Sequence, residues 1–400
     1  MKRLMPGLLL IVMLLGLPLA GVWLAGKPVG QYLEFPPTTR YVTHAPFSWP
    51  HFIGYCLFAG IVAIPFLRRA LAGHGSRGEV WESGSLGVSE SPTAGHGPRV
   101  SRRVGESASR ESSIHDPRLT THAFPLWGCF ALLALGISWL LAWTRFDWFA
   151  PLQAHTFTPL WVSYVLVVNA LTQWRTGRCL MTVRPRYFLA LFPASAGFWW
   201  FFEYLNRFVQ NWYYTGGGAF TAWEYFWYAT LPFATVLPAV LSTREFLLSF
   251  GVWERFRAWA PVSFPRPRLA AAFALVVAAA ALAGIGVRPD ALFSILWTAP
   301  LLIIVALQAF RGDRHIFSDL PRGDWRFLLS AALAALVCGF FWEMWNSGSL
   351  AKWIYTVPYV QRDGVKLFEM PLPGYAGYIP FGLECAVVGA VVDGWMEGRS

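Results

Sequence analysis

Phe157-Thr-Pro-Leu-Trp161-Val-Ser-Tyr-Val-Leu-Val-Val-Asn169-Ala170-Leu171-Thr-Gln-Trp-Arg175-Thr-Gly-Arg178 is one half of an internal duplication, and that duplication decides the fold. Phe157, Leu160, Trp161, Ala170, Leu171, Arg175 and Arg178 recur 136 residues later as Phe293, Leu296, Trp297, Ala306, Leu307, Arg311 and Arg314. After a shift of four residues the match resumes: Arg186, Leu189, Phe201, Glu203 and Asn206 return as Arg326, Leu329, Phe341, Glu343 and Asn346. Upstream, Arg145-Phe-Asp147 has a counterpart in Arg288-Pro-Asp290. Internal repeats set architecture, and in a membrane protein the interface between them is the natural place for a site.

The composition is that of an integral membrane protein. Hydrophobic residues make up 56% of the chain and charged residues 14%, and the mean hydropathy is +0.44. A soluble domain carries about 25% charged residues. The 22 Trp suit interfacial anchoring. Five cysteines without CxxC spacing argue against a disulfide framework or a zinc site. The net charge of +10 sits mostly in short loops between apolar segments, where it orients the chain rather than binding nucleic acid.

Apolar stretches of spanning length fall at 5–25, 48–67, 123–144, 156–174, 187–206, 225–243, 268–287, 291–310, 327–345 and 375–395. The expected fold is therefore an all-α integral membrane protein of about ten transmembrane helices. The first run, behind Lys2-Arg3, also fits a signal peptide. With the N-terminus inside, the inner segments hold 24 of the 32 Lys and Arg, which puts both termini in the cytoplasm. Residues 70–120, rich in Gly, Ser, Arg and Glu, read as a disordered cytoplasmic linker. The linker separates a two-span unit over 1–69 from four-span repeats over 121–260 and 261–400. An even number of spans per copy makes the repeats parallel, related by an axis along the membrane normal.

The unusual polar residues gather on the outer side. Glu203 with Asn206, and Glu343 with Asn346, close two spans there, and E-x-x-N places both side chains on one helix face. Glu34, Arg145, Asp147, Arg288, Asp290 and Glu369 lie in the outer loops among many Trp and Tyr. Together with Asn206 and Asn346 they are candidates for binding a polar head while the rings hold an apolar tail. An aromatic belt and a surface ion pair would explain much of the same pattern without a ligand. Glu203, Glu343 and Glu384 are the candidate general acids.

Glu384 is the sharpest of the three. It lies inside an apolar span, in Pro380-Phe-Gly-Leu-Glu384-Cys-Ala-Val-Val, where a charge costs about 2.5 kcal/mol or more. Such a residue pairs with a cation such as Arg145 or Arg288, faces water, or is hydrogen-bonded to another span. Asn169 is expected to hydrogen-bond between helices. Gly-x-Ser-x-Gly elbows, Ser-His-Asp order and phosphate-binding glycine loops are absent from the sequence, and His44, His51 and His155 lack metal-ligand spacing. Neither a metal nor a cofactor is expected.

The strings Phe157-Thr-Pro-Leu-Trp161 to Arg178, and Phe198-Trp-Trp-Phe-Phe-Glu203-Tyr-Leu-Asn206 to Asn211-Trp-Tyr-Tyr214, resemble a family of uncharacterised bacterial multi-pass membrane proteins. The resemblance covers most of residues 123–395. It brings no activity; the location expected of this multi-pass chain is the bacterial inner membrane. A fainter likeness is to integral-membrane carotenoid cyclases and hydratases, whose doubled acidic motif is missing here.

Three functions compete on this reading. The repeats and the intramembrane acid favour a transporter or flippase of a small or lipid-like substrate. The one-sided acids and aromatics favour an enzyme acting on a lipid or isoprenoid at the outer leaflet. Packing alone would serve a non-catalytic scaffold. Membrane lipids are expected partners in each case.

Overall fold

The computed structural model describes residues 4–71, 122–218 and 220–397. From residue 72 onward the expected linker lies outside the described residues. The chain is mostly helical. Helix α1 spans Leu4–Leu24, α2 Trp49–Leu71, α3 Leu126–Trp143 and α4 Phe157–Thr176. They are followed by the short α5 (Leu180–Val183), α6 (Pro185–Val209), α7 (Ala222–Phe233) and α8 (Val236–Leu248). Then come α9 (Pro267–Gly284), the short α10 (Pro289–Leu292), α11 (Ala299–Arg311), α12 (Arg326–Gly348) and α13 (Tyr378–Met396).

Among the described residues six helical stretches are long and apolar enough to cross a membrane, or eight if each of two bent pairs is one span. Two of the ten expected spans fall short of that standard. The apolar part of α1, Leu9–Leu24, is short, and α6 carries Arg186, Glu203, Asn206 and Arg207. The polar load of α6 is tolerable because the helix lies inside the bundle, with Glu203, Asn206 and Arg207 all buried.

Helices α4, α6, α8, α12 and α13 form the centre, with α3, α7, α9 and α11 packed around them and α1 against α9. Small residues bring α12 and α13 together: a side chain on Gly382 would strike the backbone of Ala331 at 2.3 Å. Large aromatics fill the middle. Trp161 of α4 packs against Trp342 of α12 at 4.8 Å between ring centres, and Trp297 packs against Phe202 of α6 at 5.0 Å.

Two features go beyond the expected uniform helices. The 3-10 turn Asp147–His155 meets α4 at 70°, and the segment Pro289–Trp297 meets α11 at 52°. Among the described residues four short strands also form beyond the helix ends, two of them, Trp212–Thr215 and Lys352–Tyr355, from β-favouring aromatic and branched residues. Strand β1 (Trp212–Thr215) pairs antiparallel with β2 (Lys352–Tyr355), and β3 (Lys366–Leu367) pairs with β4 (Met370–Pro371).

Candidate functional site

The chain leaves α6 and α12 by the same chemistry. The Asn206 amide donates to the carbonyl of Trp212 at 2.9 Å, and its oxygen accepts from the backbone N–H of Asn211 at 2.9 Å and of Trp212 at 3.4 Å. The Asn346 amide donates to the carbonyl of Trp353 and its oxygen accepts from the Trp353 N–H, both at 2.9 Å. Each Asn thus satisfies backbone groups of the chain just beyond its helix and fixes the start of β1 or β2.

The ribbon of β1 and β2 lies over both glutamates. Trp212 and Tyr214 are two apart on β1 and reach the same side. Oε1 of Glu203 accepts from the indole N–H of Trp199 and of Trp212, both at 3.0 Å, and from the Tyr214 hydroxyl at 2.5 Å. Oε1 of Glu343 accepts from the hydroxyls of Tyr355 and Tyr378, both at 2.7 Å, and the Trp353 indole donates to Tyr355 behind it. Trp212 and Tyr355 are directly paired across the ribbon, so the two carboxyl groups share one aromatic cover. Enclosure, and then the Glu343 carboxyl beside it, holds the Tyr355 hydroxyl well above the ordinary tyrosine range. Oε2 of Glu343 is buried without a partner among the described residues.

The loop residues divide. Thr38 and then Thr39 donate hydroxyls to Glu34, with Arg207 at 2.9 Å, and pull its carboxyl down to about 2. Asp290 pairs with His44 at 2.7 Å and accepts the Ala45 N–H at 2.8 Å. Both groups surround Gln210, which sequence reasoning passed over. Gln210 ends α6 in the left-handed region with φ of 49°. Its side-chain oxygen accepts from the N–H of Tyr41 and Val42, both at 2.9 Å, and its carbonyl accepts from Thr356 at 2.6 Å. A lone Gln after a span carries no motif, so nothing in the sequence singles it out.

Glu369 pairs with Lys352 at 2.7 Å. Arg145 donates to carbonyls of Ala142, Thr144 and Gly348. Asp147 opens the Asp147–His155 turn, and Arg288 precedes α10. No group of three His, Cys, Asp or Glu among the described residues could hold a metal ion.

Glu384 is elsewhere, within α13, and 2% exposed. Arg145 and Arg288 are not its partners. Oε1 accepts the backbone N–H of Leu301 at 3.2 Å, and Oε2 is buried without a partner among the described residues. Leu301 is the third residue of α11, so the carboxyl stands at the N-terminus of the helix that restarts after the 52° bend. The open Leu301 amide and the positive end of the helix dipole point at it. Asn169 makes the interhelical bond expected of it, donating to Ser242 at 2.9 Å.

No protein-family model, curated protein or solved structure matches this chain.

Proposed function

We propose that the chain is a ten-span carrier of a small or lipid-like solute, with Glu384 as its coupling group. The observation that carries the reading is the Glu384 carboxyl at the N-terminus of a helix broken inside a span. Carriers place solute and ion sites at such interrupted helices near the bilayer midplane, and an acid buried in a span is by default functional. The two four-span repeats belong to the same reading. Trp161 against Trp342 and Trp297 against Phe202 are the same contact with the copies exchanged. In the ribbon, Trp212 faces Tyr355 and Tyr214 faces Trp353, which is the exchange a two-fold axis along the membrane normal would make. The location we propose is the inner membrane, with both termini in the cytoplasm.

A lipid enzyme using Glu203 or Glu343 draws less support, because Oε1 of each carboxyl is already taken by aromatic donors beneath the ribbon. The test is access to Glu384. Leu301→Cys and Leu383→Cys are placed singly in a chain whose five native cysteines are alanine, and vesicles of both orientations are treated with a membrane-impermeant maleimide. A carrier labels from both sides, and Glu384→Gln shifts the balance between them. Labelling from one side alone, or from neither, overturns the reading.

A further inference from the structure

Helix α2 stands away from the body. It touches the rest of the protein chiefly near its ends, against the turns 372–377 and 251–256. Between them Leu57, Phe58, Ile61 and Ile64 are all more than half exposed. Two clefts open along it. One, of about 600 Å³, is lined by Pro50, His51, Gly54, Tyr55 and Phe58. The other, of about 360 Å³, is lined by Ile64, Pro65, Arg68, Arg69 and Trp259. Residues 51, 58 and 65 are seven apart, as are 54, 61 and 68, so both clefts lie on one helix face.

The lower cleft has the parts of a lipid headgroup site. Its wall is fixed: the Trp259 N–H donates to the Gly323 carbonyl at 2.9 Å, and its ring packs on Phe66 at 5.2 Å and Trp325 at 5.9 Å. Arg69 is held at the mouth by the Arg255 carbonyl at 2.9 Å. The nearby acids Glu254, Asp319 and Asp324 are already paired with Arg257, Arg326, Arg314 and Arg322. Among the described residues no acceptor meets Arg68.

We propose that this cleft binds one anionic phospholipid, its phosphate between Arg68 and Arg69 and an acyl chain along Ile64, Ile61 and Phe58. Guanidinium groups match phosphate oxygens in geometry and charge, and tryptophan belongs at headgroup depth. The lane has the right length. Ten helical residues from Phe58 to Arg68 rise about 15 Å, half of a hydrocarbon core of about 30 Å, which is one leaflet.

Native mass spectrometry of the full chain in detergent tests this, with phosphatidylglycerol, phosphatidylcholine and glycerol 1-phosphate as probes. Phosphatidylglycerol is expected to be retained over phosphatidylcholine. Arg68→Gln weakens that retention about fivefold, while Arg68→Lys keeps most of it. Ile64→Trp fills the cleft, leaves the charges in place and removes the preference. Equal retention by wild type, Arg68→Gln and Ile64→Trp overturns the site. Displacement by glycerol 1-phosphate at equal concentration overturns the lipid as its ligand, because a headgroup alone would then suffice.

Discussion

The stretches 157–176 and 293–311 share Phe-x-x-Leu-Trp and a later Ala-Leu, yet one is a straight helix and the other is broken. Helix α4 begins at Phe157 itself, and Pro159 falls in its first turn, where a missing N–H costs nothing. In the second stretch Phe293–Trp297 is a 3-10 turn, and the α-helix restarts only at Ala299, with Pro300 as its second residue. A proline there cannot accept a helix running through from Leu296. The proline has moved along the shared pattern, and the helix start has moved with it. Open amides are thereby carried into the bundle, and Glu384 meets one of them. Around α4 the corresponding polar groups are mild: Ser242 with Asn169, and Thr243 with Tyr164. The acid belongs where the helix is broken.

The largest effects should come from the place where the two halves agree. Asn206→Ala removes three hydrogen bonds from buried backbone groups and should destabilise the protein by about 3 kcal/mol. Asn346→Ala removes two and should cost about 2 kcal/mol. Reversible unfolding in mixed micelles measures both. A reversed order, or a loss well below 1 kcal/mol for either, would break the equivalence of the two helix ends.

The difference between the halves predicts a more local effect. Glu384→Ala strips the Leu301 N–H of its acceptor and should cost about 2 kcal/mol. Glu384→Gln keeps a carbonyl oxygen there and should stay within about 1 kcal/mol of wild type. Hydrogen exchange gives the sharper readout. The Leu301 amide should exchange faster in the alanine variant than in the glutamine variant, with Val165 of α4 unchanged in both. Equal exchange at Leu301 in the two variants would mean that Glu384 does not hold the broken helix.

How far the sequence foretold this depends on the range of the signal. Most of the helices follow from runs of apolar residues, and the duplicated Glu-x-x-Asn led to two helix ends built alike. The breaks were hidden because Thr298-Ala-Pro300 sits inside an apolar run, and hydropathy averages over a proline. The ribbon was hidden because Trp212-Tyr-Tyr-Thr215 and Lys352-Trp-Ile-Tyr355 find each other 140 residues apart. A belt of interfacial aromatics has the same composition as a strand pair. Gln210 was hidden for a third reason: its role lies in the backbone N–H groups of Tyr41 and Val42 and the hydroxyl of Thr356, far off in sequence, which composition does not reveal. Glu384 was legible as an acid out of place, whereas its partner, a backbone amide, was not.

The smallest effect tests an asymmetry at the ribbon end of the bundle. Side chains at the α6 end hold the loop 34–48, through Glu34 on Arg207 and Gln210 on Tyr41 and Val42, whereas the chain beyond α12 and β2 meets it through backbone bonds of Tyr359 with Ala45 and Ser48. Thr38 and Thr39 first, and Arg207 after them, lower the Glu34 carboxyl from an ordinary 4.5 to about 2. A depressed acid stabilises the folded arrangement above its ordinary value, and that contribution fades as pH falls from 4.5 to about 2. Across that window amides of residues 34–45 should lose protection in hydrogen exchange, by no more than a few-fold because Glu34 remains partly open to solvent. Glu34→Gln should start with the lower protection and show no such slope. The strand residues 352–355 at the α12 end should not follow either curve. If they do, the loop and the ribbon open as one unit, and the two ends of the molecule are coupled through Thr356 and Gln210 rather than held separately.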